Sequence, residues 1–158
     1  LVLERVGAAR GLSERKTVEL DRLVREFVSA YDGGAVVLGS VSAVAVRADR
    51  DTLSRALGNL VENALVHGPA GETVSVSVSR DGGSARVTVS DAGSGPGPGD
   101  HERLFERFWR GADAAVRPGS GLGLSIVAAI AEQFGGRVTI SGSAFTIELP
   151  EVDGGAIP

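Results

Sequence analysis

Apolar residues at Val18, Leu20, Leu23, Val24, Phe27 and Val28 recur at steps of three and four, which predicts a helix opening after Thr17 and closing at Gly33-Gly34. Ala35–Leu38 and Val41–Val46 are short and rich in β-branched residues, and Gly39-Ser40 between them suggests a hairpin. Asp49 and Asp51 offer N-cap oxygens to a second helix, whose apolar face is Leu53, Ala56, Leu57, Leu60, Val61, Ala64 and Leu65. Gly68-Pro69 stop that helix. Val74, Val76 and Val78 then alternate with Ser75, Ser77 and Ser79, the pattern of a strand buried on one side. Asp81-Gly82-Gly83 turns into an antiparallel partner, Ala85–Val89. Ala92–Ser120 shows little regular pattern beyond a short amphipathic piece at Leu104, Phe105 and Phe108, and loops of this length usually serve a function. A third helix, Gly121–Phe134, is apolar on most sides and ends at Gly135-Gly136, and a last hairpin joins Val138–Ile140 to Phe145–Leu149.

The expected order is therefore α, β, β, α, β, β, long loop, α, β, β. Strands joined mainly as hairpins do not make a doubly wound parallel sheet. The pattern calls for an α/β (α+β) two-layer sandwich: a mixed, mostly antiparallel sheet of about five strands or more, with three helices on one face. Residues 1–16 read as a linker or the end of a preceding helix, 17–150 as the domain, and 151–158 as a loose tail.

Composition narrows the function classes. A chain of 158 residues, 42% hydrophobic, suffices for one domain with a real core. The formal charge is −4 and basic residues form no block, which argues against a nucleic-acid partner. The absence of cysteine removes disulfides and thiolate metal sites. No apolar run approaches the roughly 20 residues that span a bilayer, so no direct membrane contact by this chain is expected. The chain contains no Met and starts at Leu1, and is expected to be a piece of something longer.

Three segments carry candidate chemistry. Asn59 and Asn63 lie one turn apart on the second helix, with Glu62 and Arg55 beside them. Asn is a mediocre helix former, so the pair suggests side chains aimed at a ligand, although a solvated polar face has the same pattern. Asp91 closes a strand and opens DAGSGPGPG; its carboxylate suits a ligand amine and the glycines admit a flat ring, yet a flexible turn reads the same way. GSGLGLSIVAAI, residues 119–130, runs a glycine-rich turn into a helix, where free backbone N–H groups and the helix dipole suit a polyphosphate. It matches neither the dinucleotide fingerprint nor the P-loop.

Together and in this order the segments resemble the ATP-binding domain of sensor histidine kinases, within the wider superfamily of gyrase, Hsp90, MutL and these kinases. LGNLVENALVHG (57–68) is similar to the family's N box, DAGSG (91–95) to its first glycine box, LFERFWRG (104–111) to its F box, and GSGLGL (119–124) to its second glycine box. GSAFTIELP (142–150) resembles the closing strand motif, with Ser143 where the family usually has Thr. The resemblance covers roughly residues 17–150.

The resemblance implies ATP and Mg²⁺ as ligands, with a long ATP lid over the site. Asn63 would ligate Mg²⁺ and Asn59 would support the phosphate side. Asp91 would accept from the adenine amino group, while Gly93 and Gly95 let the ring approach. Gly119, Ser120, Gly121, Leu122, Gly123 and Leu124 would wrap the phosphates. Phe105 and Phe108 would dock the lid, Arg110 or Arg117 would reach the γ-phosphate, and Ser143 would meet adenine through a water. His67 would be a wall of the site. Val66 stands where the family often has Lys or Arg, and Pro96 where it has an aliphatic residue.

The implied activity is transfer of the γ-phosphate to a histidine on a dimerisation domain of the same kinase, ahead of a response regulator. Neither His67 nor His101 fits the acceptor. The implied setting is a cytoplasmic domain of a membrane-anchored sensor. Two alternatives are an anti-sigma-type serine kinase, which usually carries Glu at the Asn59 position and lacks the F box, and an ATP-sensing module without transfer. The lid, residues 96–118, is expected to be mobile without nucleotide and ordered by ATP, because its few apolar residues offset little backbone entropy.

Overall fold

The computed structural model describes residues 15–31, 33–67, 71–91 and 120–152. Among the described residues three helices, α1 (Leu20–Ser29), α2 (Arg50–His67) and α3 (Ser120–Gln133), lie among seven strands: β1 (Lys16–Glu19), β2 (Val36–Val41), β3 (Ala45–Ala48), β4 (Val74–Asp81), β5 (Ser84–Ser90), β6 (Arg137–Ser141) and β7 (Ala144–Pro150). Five of the strands form one mixed sheet in the order β2-β4-β5-β7-β6, and β1 and β3 form a separate two-stranded ladder. The two-layer α/β sandwich read from the pattern is the observed fold.

The sheet has two chemically opposite faces. Its register aligns Val76 with Val89 and Val78 with Val87, then Val87 with Ile147, Val89 with Phe145 and Ala85 with Leu149. With a side-chain period of two, these residues share one face, and all of them are buried beneath the helices. From α2, Leu53, Ala56, Leu57, Leu60, Val61 and Ala64 join this core, as do Leu124, Val127, Ile130, Ala131 and Phe134 from α3 and its end. The opposite face carries Ser75, Ser77, Thr88, Ser90 and Thr146; the Thr88 and Thr146 hydroxyls share a hydrogen bond of 2.9 Å.

Two expectations fail near the N-terminus. Thr17 and Val18 belong to β1 rather than to a helix, because Val18 pairs with Val46 across the ladder and both are buried. The α1 helix begins where Leu20 N donates to Val44 O at 2.9 Å, a partner more than twenty residues downstream. Nor do residues 35–46 form a hairpin. Strand β2 pairs parallel with β4, and β3 leaves the sheet to pair with β1. Gly39, expected at a turn, lies within β2 at a register irregularity between Leu38 and Val41; a Cβ there would come within 3.3 Å of the Ser77 Cβ. Leu65, assigned to the apolar face of α2, is 40% exposed.

Helix ends follow their local chemistry. Asp49 Oδ2 accepts from Thr52 N at 3.0 Å, which caps α2. After α3, Gly135 has φ +87 and donates to Glu132 O, while Gly136 N donates to Ala131 O at 2.8 Å, the paired bonds of a Schellman end. Gly136 also admits no side chain, because a Cβ there would lie 1.8 Å from the Glu148 carbonyl oxygen. The tail expected from residue 151 is held at its start: Glu151 N donates to Gly83 O and Val152 N to Ala45 O, both at 2.8 Å.

On the polar side of the sheet Glu148 accepts from Arg137 Nε at 2.8 Å and from Arg86 Nε at 2.9 Å. The hydrogen bonds from Arg137 and Arg86 hold its carboxyl below the ordinary 4.5. A depressed folded value gives stability that is complete above 4.5 and fades as the pH falls through the folded value. Glu148→Gln should therefore lower the melting temperature at neutral pH, and the gap to the wild type should close in acid. A gap that stays constant down to the acid limit would refute this linkage.

Candidate functional site

Strand register decides what meets at the end of the sheet. Ser90, the last residue of β5, pairs with Ala144, the first of β7, so the next residue on one strand and the preceding one on the other, Asp91 and Ser143, are neighbours. Ser143 Oγ donates to the Asp91 carbonyl oxygen at 2.6 Å. The turn that carries Ser143 is made by Gly142 at φ +59. Asp91, a half-buried residue, is thereby fixed at its backbone by a hydroxyl from the β6–β7 hairpin.

Helix α2 supplies the second side. Asn59 and Asn63 are both half-buried on it, one turn apart, while its leucine stripe is sunk in the core. Gly58 marks the flank toward α1, where a Cβ would meet Phe27 Cε2 at an ordinary contact distance of 3.9 Å. Tyr31, two residues beyond the end of α1, has its ring 5.4 Å from that of Phe27 and feels the charge of Glu62 on α2. Burial first, and then the negative charge of Glu62, push the Tyr31 hydroxyl above its ordinary 10.0, so it stays protonated. Val66, where the family often carries a cation, is 49% exposed.

Ala64, the residue after Asn63, shares a cleft of about 420 Å³ with Asp91; the cleft is closed by Gly33–Ala35 after α1 and by Glu72, Thr73 and Val74 at the start of β4. Parallel pairing of β2 with β4 brings these two loops together, with Val74 N donating to Ala35 O at 2.8 Å. The loops carried no signal in the sequence, because their partnership depends on that pairing. Of the described candidates Asp91 lines this cleft, whereas Asn59, Asn63 and Ser143 do not.

The third side is α3, packed along α2. Its first residue is Ser120, within the glycine-rich segment. Leu124 is 3% exposed and belongs to the core. The backbone of 120–123 is helical, whereas the side chains of Ser120, Leu122 and His67 lie outside the described ones. Residues 92–119, with Gly93, Gly95, Phe105, Phe108, Arg110, Arg117 and Gly119, lie outside the described residues altogether.

Among the described residues no helix is long and apolar enough to cross a membrane, and no three His, Asp or Glu side chains form a metal-binding group. Asn59 and Asn63 offer two neutral amide oxygens on α2. That set fits Mg²⁺, which takes few protein oxygens and keeps waters and phosphate oxygens for the rest of its shell.

The family described as histidine kinase-, DNA gyrase B- and HSP90-like ATPase matches residues 48–153. The chain belongs to this family. Its curated relatives include the sensor-like histidine kinase SenX3 of Mycobacterium tuberculosis, 38% identical over 161 residues, with 94% of this chain and 39% of that protein covered. The sensor protein IrlS of Burkholderia pseudomallei is 44% identical over 93 residues, covering 58% of this chain and 20% of that protein. The chain thus spans about two fifths of SenX3. Among solved structures, the mycobacterial sensor histidine kinase MprB superposes with a TM-score of 0.73 at 28% identity, covering 87% of this chain and 97% of that one. Full-length ShkA in complex with AMPPNP gives 0.70 at 29% identity, covering 87% and 31%. The resemblance read from the boxes is borne out: the chain is the ATP-binding catalytic domain found in sensor histidine kinases.

Ser143→Ala removes the hydroxyl that ties the last hairpin to the end of β5. Urea denaturation should show a loss of about 1 kcal/mol, the usual net value of one such bond. No loss of stability would mean that the hairpin and Asp91 are held together by strand pairing alone.

Proposed function

We propose that this chain binds Mg-ATP and presents the γ-phosphate to a histidine on a separate helical dimerisation domain, the autokinase step that precedes a response regulator. The observation that carries the reading is the Asp91–Ser143 bond at the end of the sheet, beside a cleft that Asp91 shares with Ala64 of α2, the helix that carries Asn59 and Asn63. Family membership gives ATP as the ligand class. Magnesium, the acceptor histidine and the setting in a membrane-anchored sensor, with this domain in the cytoplasm, are our assignments.

Each group has one task. Asn63 would hold Mg²⁺ through its amide oxygen, and Asn59 one turn earlier would hydrogen-bond the phosphate side. The metal, when bound, neutralises phosphate charge. Asp91 accepts the adenine amine, with Ser143 keeping its backbone in place and His67 forming a wall. The backbone N–H groups from Gly119 to Leu124 are assigned to the phosphates; Leu124 acts there through its backbone, as its side chain is committed to the core. Gly93 and Gly95 are assigned to the base, Phe108 to docking the lid, and Arg110 and Arg117 to the γ-phosphate. Transfer of this kind rests on positioning and charge neutralisation more than on covalent help from the protein.

Titration calorimetry tests the metal assignment. Asn63→Ala should weaken Mg-ATP binding on the order of 10-fold or more, as losses around metal sites do, with the melting temperature unchanged because the leucine face of α2 is intact. Wild-type affinity in the variant would refute the role of Asn63. Base selection tests Asp91. An ionised carboxylate accepts and cannot donate, so it pairs with the adenine amine and repels the guanine carbonyl. GTP should compete with ATP far less well for the wild type, and Asp91→Asn should narrow the gap. Equal binding of the two nucleotides by the wild type would place the base elsewhere.

A further inference from the structure

The C-terminal end of α3 is completed by a residue from outside the helix. A helix leaves its last four carbonyls without intrahelical donors. In α3 the Schellman bonds from Gly136 and Gly135 satisfy Ala131 O and Glu132 O. The next carbonyl, Gln133 O, accepts from Arg15 Nη2, more than a hundred residues away in sequence. The same guanidinium stacks 5.2 Å above the ring of Phe134, which is itself in the core. The last turn of α3 has no basic residue of its own and carries Glu132, the wrong charge for that end of a helix dipole. Arg15 supplies the missing cation. Its own backbone is tied in turn, since Arg47 Nη2 on β3 donates to Arg15 O at 3.1 Å. Arg15 Nε–H is buried without a hydrogen-bond partner among the described residues, an unfavourable arrangement that the other contacts must outweigh.

We propose that Arg15 is a positioning residue for the nucleotide site, setting the axial position of α3 from its C-terminal end. This rests on the reading that the opposite end of α3 holds the phosphates. The helix is 14 residues long, about 21 Å at 1.5 Å per residue, and is unbroken. It is also packed along α2, the helix that carries Asn59 and Asn63. A rigid rod held at one end by a side chain from the residue preceding β1 transmits a shift at that end to the other, and so changes the spacing between the first amides of α3 and Asn63. Chain entering the domain at Arg15 is thereby coupled to phosphate binding with no direct contact to the ligand.

The test compares Arg15→Ala, Arg15→Lys and the wild type by hydrogen exchange without nucleotide and by calorimetry with Mg-ATP. In Arg15→Ala, faster exchange should extend from Phe134 back to the amides of residues 124–127, and Mg-ATP affinity should fall several-fold, as for a residue that couples without touching the ligand. Arg15→Lys keeps a cation at the helix end and should recover part of both effects. Faster exchange confined to residues 131–134 with wild-type affinity would reduce Arg15 to a local anchor and overturn the proposal. Wild-type protein that fails to bind Mg-ATP would refute the proposed function instead, and the exchange pattern would still decide whether α3 moves as one body.

Discussion

The β5–β7 pairing is the constraint on which the rest depends. These central strands place Ala85, Val87 and Val89 against Leu149, Ile147 and Phe145, so one register builds the middle of the core. The same register brings Asp91 beside Ser143 at the sheet's end. A slip by one residue would turn the valines to solvent and carry Ser143 away from Asp91 in a single step. Core stability and site geometry are therefore not separable here. The polar face guards that register as well, since Arg86 and Arg137 both bind the one carboxylate of Glu148.

Local order in the sequence carried most of the fold because most of the contacts that specify it are local. The alternating valines and serines of β4, the Asp81-Gly82-Gly83 turn and the closing hairpin are each contained within about twenty residues, and each is where the pattern put it. What escaped was set by partners distant in the chain. Lys16–Glu19 is a strand only because Ala45–Ala48 pairs with it, and Gly39 reads as a turn until the approach of Ser77 gives it another purpose. At the site, the individual polar residues stood out by type and spacing, as with two Asn one turn apart on a helix. The bond between Ser143 and Asp91, and the cleft walls at Gly33–Ala35, had no signal, because each joins segments that meet only after the sheet has assembled.

The third helix shows how a nearly charge-free segment is held in place. Burial of Val127, Ile130 and Ala131 fixes its rotation, but apolar contacts resist sliding along the axis weakly compared with hydrogen bonds at the ends. The C-terminal end is pinned by two glycine amides, by Arg15 and by Gly136, which admits no side chain against the Glu148 carbonyl. The phosphate-binding role proposed for the near end requires amides that can turn to a ligand, because donors already satisfied internally have nothing to offer it.

Charge on α2 is arranged by the same economy. Successive residues on a helix are about 100° apart, so Glu62 and Asn63 project in well-separated directions although adjacent in sequence. The charge of Glu62 reaches Tyr31, just beyond the end of α1, and adds to burial in keeping that hydroxyl protonated. Asn59 and Asn63, one turn apart on the polar face, are neutral. A carboxylate in either place would repel a polyphosphate unless a cation intervened, whereas an amide offers both an acceptor for a metal ion and donors for phosphate oxygens. With Val66 in place of a basic residue, Arg55 is the basic residue this helix holds beside those amides. Most of the phosphate neutralisation is then left to the metal and to groups outside α2, which makes the placement of α3 relative to Asn63 the quantity the fold has most reason to hold constant.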